Sequence, residues 1–290
     1  MKILITGRDG QVAQSLAERA SGHELVFKAR PDFDLVDPAS IERTIATVRP
    51  ELIISAAAYT AVDQAEDEPD LAMAANGEAP GIIGHAAAKI GAPVLHLSTD
   101  YVFGGSGELA WTEDDPTGPI GTYGKTKLAG EEALASSGAR YVILRTSWVY
   151  SPYGDNFVKT MLRLAETHDV LNVVVDQYGN PTSALDIADA LMTVASRLRK
   201  EPCRNFDAIY NFAGSGTTTW AEFATTIFAE SAVRGGPSCK VTGIPAVEYP
   251  ARATRPVNSR LDCTKFVKHF GYAPPLWRSG VARTIERLVP

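Results

Sequence analysis

The chain has 290 residues, of which 45% are apolar and 21% are charged, and its formal net charge at pH 7 is −6. This composition is typical of a folded globular protein and excludes the disordered class. The net acidity, without any run of Lys or Arg, argues against nucleic acid or an anionic membrane as a partner, because both need a concentrated basic surface.

The three cysteines, Cys203, Cys239 and Cys263, are widely spaced and form no C-x-x-C pair. The sequence therefore predicts neither a disulfide framework nor a thiolate metal site. The N-terminus lacks the pattern of a secretory signal, and no apolar run approaches membrane-spanning length. We expect a cytoplasmic protein that crosses no membrane.

Short apolar runs alternate with helical stretches through the first half of the chain. In five runs the apolar residues are consecutive, which is typical of strands buried on both faces of a parallel sheet. They are residues 2–5, 25–27, 52–54, 94–97 and 141–144. Residues 71–89 and 123–135, rich in Ala, Glu and Lys, are predicted to be exposed helices. The pattern predicts an α/β fold with a Rossmann-type doubly wound parallel sheet.

The alternation of strands and helices is lost after about Tyr150, where Gly-, Pro- and Thr-rich stretches indicate a smaller, loop-rich region. We predict a first domain over residues 1–150, rejoined by about 183–209. A smaller C-terminal domain is predicted over residues 151–182 and 210–290.

A glycine-rich turn follows the first predicted strand directly, with Gly7, Gly10 and Ala13 in a G-x-x-G-x-x-A pattern that opens into a helical run. The glycines allow the backbone to approach a pyrophosphate closely, and the helix N-terminus supplies N–H groups and a partial positive charge. An ordinary strand-to-helix turn is the alternative. The position after the first strand favours a dinucleotide site.

Two later segments are weaker candidates for the same ligand. Asp34 and Leu35 end a second strand-like stretch, where the Asp either accepts a hydrogen bond from an adenine or serves only in a turn. The small residues 56–58 follow the third strand and leave room for a ligand at the sheet edge, although core packing explains them equally well. Tyr59 and Thr60, which come next, are harder to explain by packing.

A candidate proton-transfer group lies in the next two elements. Ser98-Thr99-Asp100 ends the fourth strand, and Tyr123 and Lys127 share one face of the following helix because they are four residues apart. An ammonium close to a phenol lowers the pKa of the phenol from about 10, which makes Tyr123 a usable acid or base for interconverting an alcohol and a ketone. Thr99 can hydrogen-bond the same substrate oxygen. The order of these motifs predicts a nicotinamide-dependent short-chain reductase.

Charge after the second strand bears on the choice of nicotinamide cofactor. Enzymes that select NADH usually present an acid there, whereas this sequence reads Phe27-Lys28-Ala29-Arg30. Together with Arg8 in the glycine turn, these cations predict a site for a 2′-phosphate. We therefore expect a preference for NADPH, with NADH still accepted. Lys28 and Arg30 as solvated loop charges are the alternative.

Over nearly its whole length the sequence resembles the dTDP-4-dehydrorhamnose reductase family of extended short-chain dehydrogenases. The matching segments are residues 6–10, 56–66, 98–103, 123–131, 145–150, 156–157, 176–179, 217–220 and 255–261. The resemblance implies reduction of a 4-keto group to give dTDP-L-rhamnose, a precursor of bacterial cell-envelope polysaccharide such as O-antigen. It implies that the smaller C-terminal domain binds the sugar nucleotide.

The resemblance also implies roles for individual residues. Tyr123 is the proton donor, Lys127 lowers its pKa and holds the nicotinamide ribose, and Thr99 tunes the pair. Residues expected to line the cofactor are Gly7, Arg8, Gly10, Gln11, Val12, Arg30, Asp34, Leu35, Ala58, Tyr59, Thr60 and Leu97. Residues expected to contact the substrate are Thr99, Asp100, Trp148, Arg255 and Ser259.

Some members of this family are dimers bridged by a magnesium ion held by glutamates. The corresponding positions here are Ser15 and Leu185. Since neither residue is a carboxylate, we expect no metal at that interface. We expect the protein to be a monomer or a homodimer.

Two alternative functions share the Rossmann half: another extended short-chain reductase or epimerase acting on a nucleotide sugar, and a non-catalytic regulatory subunit of the methionine adenosyltransferase type. The intact Thr99, Tyr123 and Lys127 argue against the second.

Overall fold

The computed structural model describes residues 1–289, and all statements about its elements refer to that range. The strands are β1 (Lys2–Thr6), β2 (Glu24–Lys28), β3 (Leu52–Ser55), β4 (Val94–Thr99), β5 (Tyr141–Thr146), β6 (Val149–Tyr150), β7 (Val170–Val174), β8 (Tyr178–Gly179), β9 (Thr182–Ser183), β10 (Ala208–Asn211), β11 (Thr218–Thr219), β12 (Lys240–Ile244) and β13 (Asn258–Ser259). The α-helices are α1 (Gln11–Arg19), α2 (Pro38–Val48), α3 (Pro69–Met73), α4 (Ala79–Ile90), α5 (Thr122–Ala135), α6 (Phe157–Ala165), α7 (Ala184–Lys200), α8 (Trp220–Val233), α9 (Thr264–Phe270) and α10 (Trp277–Leu288).

The central sheet is parallel throughout, in the order β2-β1-β3-β4-β5-β10. Helices cover both of its faces. Ile3 and Ile5 pack in the apolar cluster beneath α1 and α7, whereas Leu4 between them packs in the cluster beneath α2 and α4. This burial on both faces explains the consecutive apolar residues of the strands. The predicted Rossmann-type α/β fold and its first five strands are confirmed.

Three local predictions differ from the structure. Asp34 and Leu35 do not end a strand, because β2 stops at Lys28 and both residues lie in the loop before α2. The predicted helix 71–89 is α3 and α4, joined by a π-helical turn over Ala74–Glu78. Neither predicted helix is simply exposed, since α4 buries Ile83, Ala87 and other residues against the sheet, and α5, predicted as the exposed helix 123–135, buries Thr126, Lys127, Glu131 and other residues.

After β6 the chain forms small sheets, ordered β11-β8-β13, β12-β7 and β6-β9. They surround a separate core of large side chains that includes Tyr150, Phe223 and Trp277. Between these segments, α7 packs on α1, and β10 pairs with β5 to complete the large sheet. Within residues 1–289, no helix has the length and apolar character needed to cross a membrane.

Candidate active site

The glycine turn between β1 and α1 is shaped to receive an anionic group. Gly7 has a φ of +86°, which other residues rarely adopt, and its N–H donates to the Lys28 carbonyl at 2.7 Å. Gly10 is the N-cap of α1, and no side chain caps this helix end. A Cβ placed on Gly10 would meet nothing within 4 Å. The N–H groups of the first turn of α1 are therefore free to bind a pyrophosphate, so the residues present fit a dinucleotide.

Other residues of this turn are already engaged. The Arg8 side chain is 70% exposed, with Nε 3.5 Å from Oδ1 of Asp9. The Oε1 of Gln11 accepts a hydrogen bond from Ser151 at 2.8 Å, and the Val12 side chain is buried in the core. Gln11 and Val12 thus have only their backbone groups on the turn free for a ligand.

In the loop after β2, the Lys28 ammonium pairs with Asp32 at 3.3 Å, while Arg30 is exposed. The Asp34 carboxylate accepts from the N–H of Val36 at 3.2 Å, so this Asp does serve in a turn. Leu35 is half-buried against the core beneath α2.

The loop after β3 lies beside the glycine turn. Thr6 Oγ1 accepts the N–H groups of Ala56 and Ala57, both at 3.0 Å, which ties the ends of β1 and β3 together. Ala58 and Tyr59 follow half-buried and Thr60 exposed. The Tyr59 hydroxyl donates to Glu68 at 2.8 Å.

The proposed proton donor lies across the sheet edge from the glycine turn. Tyr123 stands in the first turn of α5, and Thr99 ends β4. Burial and the Asp100 carboxylate raise the pKa of Tyr123 to about 12, and hydrogen bonding by the Thr99 side chain opposes this rise. The expected lowering by Lys127 is not found in the protein alone. The phenol therefore stays protonated at neutral pH, as a proton donor must.

Lys127 explains why that effect is missing, because its ammonium is turned toward the sheet. Its side chain is buried, and Nζ donates to the Leu97 carbonyl at 2.7 Å and lies 3.3 Å from Nε2 of His96. Burial lowers the pKa of Lys127 to about 8, while the Glu131 carboxylate opposes the change. Leu97, expected to line the cofactor, thus also positions this lysine.

A buried layer of polar side chains lies between α5 and the sheet, and we call it the polar layer: Ser55, His96, Lys127, Glu131 and Arg145. Glu131 is 1% exposed and Arg145 is 2% exposed. Their ion pair is bidentate, with distances of 2.9 and 2.6 Å. Neighbouring strands supply the other members, since Ser55 of β3 pairs in register with His96 of β4. Only the three α5 and β5 residues carry formal charge in this layer at neutral pH.

The polar layer contains the residues that sequence reasoning missed. The sequence places His96 within a predicted apolar strand, and it places Glu131 and Arg145 only within the segments that match the family. A polar residue within an otherwise buried strand was the available signal for His96.

Asp100 is the buried carboxylate nearest the reacting groups. It is 2% exposed, and its Oδ1 accepts a hydrogen bond from Thr99 at 3.1 Å. Burial raises the pKa of Asp100 to about 7, although hydrogen bonds from Ser259 and Thr99 oppose the rise. Among residues 1–289, its Oδ2 has no hydrogen-bond partner. A buried carboxylate oxygen without a donor is suited to a substrate hydroxyl.

A cleft of about 660 Å³, a volume within the usual range of ligand sites, is lined by Tyr101, whose ring centroid is 5.5 Å from that of Tyr123; Tyr123 and Asp100 themselves are not among its lining residues. Its wall includes the aromatic rings of Tyr101, Phe157 and Trp220, together with Arg255. The Arg255 guanidinium is held by Asp63, with NH2 donating to Oδ2 at 2.8 Å. Ser259 lies on β13, and its side chain is close enough to Asp100 to oppose the rise in the pKa of that carboxyl, so the structure brings these two predicted substrate residues together.

Trp148 is not among the residues that line this cleft. Its ring stacks on Trp220, with centroids 3.6 Å apart, and a Cβ on Gly179 would collide with its other side. Its φ of +48° is uncommon for a bulky residue, so the surrounding packing must hold it in place. Trp148 therefore supports the wall residue Trp220 from behind.

An acidic loop over residues 63–68 connects the parts of the site. Asp63 accepts from Arg255 and from the Ala253 N–H, and Asp67 pairs with Arg252. Glu66 accepts from both the N–H and the hydroxyl of Thr122 at 2.8 Å, which caps the helix that carries Tyr123. The same loop thus holds the cleft wall and the catalytic helix.

The positions compared with the magnesium-bridged relatives lie on α1 and α7. Ser15 donates to the Gln11 carbonyl at 2.8 Å, and Leu185 is buried. Across residues 1–289, no cluster of three or more His, Cys, Asp or Glu is arranged to hold a metal ion. That the protein binds no metal stays a prediction.

Comparison with known proteins identifies the family. The family model described as RmlD substrate binding domain matches residues 1–289. A dTDP-4-dehydrorhamnose reductase from Sinorhizobium fredii is 46% identical over 290 residues, covering 100% of this chain and 98% of the relative. Crystal structures of such reductases from Clostridium acetobutylicum and from Bacillus anthracis, the latter in complex with NADP, align with TM-scores of 0.92 and 0.91 at 33% and 32% identity, each covering 99% of both chains. The chain therefore belongs to the dTDP-4-dehydrorhamnose reductase family.

Proposed function

We propose that this protein is an oxidoreductase that reduces the 4-keto group of dTDP-4-dehydro-6-deoxy-L-mannose with NADPH and so forms dTDP-L-rhamnose. The observation that carries the proposal is the placement of a protonated phenol, Tyr123, at the sheet edge between an open dinucleotide turn and a cleft. Similarity to named reductases along the whole chain supports the same activity. The product serves polysaccharide precursor synthesis.

The cofactor would lie along the carboxyl ends of the strands, with its pyrophosphate at the N-terminus of α1. Once bound, NADPH supplies the hydride that adds to the carbonyl carbon. Arg8 and Arg30 are proposed to bind the 2′-phosphate, and NADH is proposed to be accepted as well. Asp34, Leu35, Ala58, Tyr59, Thr60 and Leu97 are proposed to line the rest of this site.

The protein groups handle the proton. As the carbonyl carbon gains the hydride, the oxygen gains negative charge and takes the proton of the Tyr123 hydroxyl. Thr99 lies beside Tyr123, where its side chain opposes the rise in the pKa of the phenol, and it is proposed to hydrogen-bond the same substrate oxygen. Lys127, one helical turn along α5 from Tyr123, is proposed to hold the nicotinamide ribose and to stabilise the phenolate that is left once the cofactor is bound, whereas in the protein alone its ammonium is held by Leu97 and His96.

The cleft is proposed to hold the nucleotide sugar. The free Oδ2 of Asp100 is suited to a sugar hydroxyl, and Ser259 fixes the carboxylate. Arg255 is proposed to bind the diphosphate while it stays paired with Asp63, since a guanidinium has enough donors for both partners. Trp148 is proposed to act on the deoxysugar through Trp220, whose ring it supports in the cleft wall.

The domain roles follow from this arrangement. We propose that residues 1–150 and about 183–209 bind the cofactor, and that residues 151–182 and 210–290 bind the sugar nucleotide. The three free cysteines support a cytoplasmic location. The protein is proposed to act as a monomer or a homodimer.

The test is an assay of NADPH oxidation with the 4-keto-6-deoxy-L-sugar linked to dTDP and, in parallel, to UDP. We expect turnover with the dTDP-sugar and a much lower kcat/KM with the UDP-sugar. Equal turnover of the two would show that the base is not recognised. Product analysis must give the 6-deoxy-L-manno sugar, and conversion without net cofactor oxidation would identify an epimerase instead.

A further inference from the structure

The buried ammonium of Lys127 has few partners, and one of them is a histidine. Its Nζ donates to the Leu97 carbonyl and lies 3.3 Å from Nε2 of His96, which is 1% exposed. The nearest carboxylate on the same helix, Glu131, has both oxygens bound to Arg145. Besides a backbone carbonyl, His96 is therefore the group that fixes where the ammonium lies.

The contact also determines where the proton of His96 resides. An ammonium has donors and no acceptor, so Nε2 must present its lone pair to Lys127. The proton of the neutral ring then lies on Nδ1, which is 3.1 Å from the Ser55 hydroxyl and donates to it. Burial and the Lys127 charge hold the pKa of His96 well below its ordinary value of 6.5, which agrees with a neutral ring.

We propose that His96, fixed in one tautomer by Ser55, is a positioning residue that holds the Lys127 ammonium in place and favours its protonated form, on the face of α5 that also carries Tyr123. This inference rests on the proposed function, in which Lys127 stabilises the phenolate. Two of the three ammonium protons are directed to Leu97 and His96, and these two contacts leave the third for a ligand. Without the lone pair of Nε2, the buried ammonium would lose one of its two hydrogen-bond acceptors and keep only the Leu97 carbonyl.

The charged and titratable groups around His96 come from two elements, α5 and β5. Lys127 and Glu131 face it from α5, Arg145 lies on the adjacent strand β5, and Tyr123 begins the same helix face. The Glu131 and Arg145 charges offset each other through their ion pair. The charge that His96 responds to is thus that of Lys127.

The test uses three replacements of His96 that separate hydrogen bonding from packing. In H96Q the amide oxygen lies as many bonds from Cβ as Nε2 does, so an acceptor for Lys127 is retained. The side chain of H96N is shorter, so it retains a polar partner for Ser55 but no acceptor for Lys127. H96L retains only the packing of the side chain. We expect H96Q to keep kcat/KM within about fivefold of wild type, and H96N and H96L to lose about 10- to 100-fold. H269L, which changes a histidine bonded to Tyr210 beneath the outer edge of the sheet, is the matched control and should leave kcat/KM unchanged.

Two measurements on the cofactor-free protein do not depend on turnover. Nitrogen-15 spectra of His96 should show a neutral ring with its proton on Nδ1 from pH 5.5 to 8.5. The Lys127 side-chain resonance, assigned by its loss in K127R, should titrate at a lower pH in H96N and H96L than in wild type and H96Q. Inactivity of the wild type toward every sugar nucleotide would contradict the proposed function and leave these two results to decide the role of His96.

Several outcomes would overturn the inference. One is a cationic ring or an Nε2–H tautomer in the wild type, which can be observed even if every His96 variant fails to fold. Another is a Lys127 titration that is the same in H96L as in wild type. A third is an equal loss of kcat/KM in H96Q and H96L, which would show that His96 contributes packing and not an acceptor.

Discussion

The polar layer beneath α5 and the wall of the cleft face the same reacting centre, but they are built differently. Every side chain of the polar layer is buried, and each of its charges has a partner within the protein: Glu131 pairs with Arg145, and the Lys127 ammonium is held by the neutral groups of Leu97 and His96. The cleft wall is made of stacked rings and loop residues, and its arginine is held by the half-buried Asp63. Removing one member of the buried set leaves a partner without compensation in a medium where that is costly. Water can replace a lost contact at the cleft wall. We therefore expect changes in the polar layer and the adjoining proton donor to abolish turnover or folding, and changes in the cleft wall to alter affinity.

The largest effect on turnover is expected at Tyr123, the proposed proton donor next to the polar layer. Tyr123→Phe removes the proton source and should lower kcat by about 10²- to 10⁴-fold without loss of folding. Steady-state kinetics and circular dichroism measure the two properties. Tyr141→Phe removes a hydroxyl from the first residue of β5, at the end of that strand away from the active site, and serves as the control. Near-normal turnover of the Tyr123 variant would refute its role as the acid.

The buried ion pair should dominate stability. Glu131→Gln leaves the Arg145 charge without its partner and is expected to lower the free energy of unfolding by about 3–5 kcal/mol. Urea denaturation measures this change. The double replacement Glu131→Leu with Arg145→Met removes both charges and should cost far less. A double variant as unstable as the single one would show that packing, and not the unpaired charge, determines the loss.

The pH dependence of kcat/KM tests Asp100, proposed to bind the substrate, and Lys127 of the polar layer in one experiment. Ionised Asp100 accepts a substrate hydroxyl much more strongly than the protonated acid does, so kcat/KM should fall as pH drops below its pKa of about 7. Lys127 is needed charged, so kcat/KM should also fall as pH rises above its pKa of about 8. The phenol of Tyr123 stays protonated across this window. A plot of kcat/KM against pH is therefore expected to be a narrow bell-shaped curve, and Asp100→Asn should remove the fall on its acidic side. An acid limb that survives in that variant would have to come from another group.

A smaller effect is expected in the cleft wall. Trp148→Ala removes the ring behind Trp220 and should raise KM for the sugar nucleotide about 5- to 10-fold, with little change in cofactor affinity. Trp148→Phe keeps a ring and should lie close to wild type. A variant that loses cofactor affinity or stability while KM is unchanged would place Trp148 in the structural core.

The smallest effect is expected at the exposed cations. Arg8→Ala and Arg30→Ala should each lower kcat/KM for NADPH about three- to fivefold and leave the value for NADH unchanged, because exposed charges contribute little. Arg140→Ala, at the opposite edge of the sheet, is the control. Equal losses for both cofactors, or equal kcat/KM values for the two in the wild type, would show that these arginines do not recognise the 2′-phosphate.

Sequence reasoning was accurate where the determinant is local. The consecutive apolar residues of the strands and the glycines that follow β1 predicted the sheet and the turn, because strand burial and backbone conformation depend on residues next to one another. The spacing of Tyr123 and Lys127 placed them on one helix face for the same reason. Asp34 shows the limit of such patterns, since an Asp suited to a ligand is equally suited to a turn.

The sequence by itself determined the Rossmann-type fold, the dinucleotide turn, the Tyr123 and Lys127 pair and, through resemblance, the family. Only the tertiary structure decided which groups surround that pair. His96 and Ser55 come from two different strands, and Arg145 comes from a third, so their contact with α5 depends on sheet register and helix packing that no local spacing encodes. The pKa of Tyr123 was likewise decided by tertiary structure, because burial and the position of Asp100 outweigh a lysine whose ammonium is bound elsewhere.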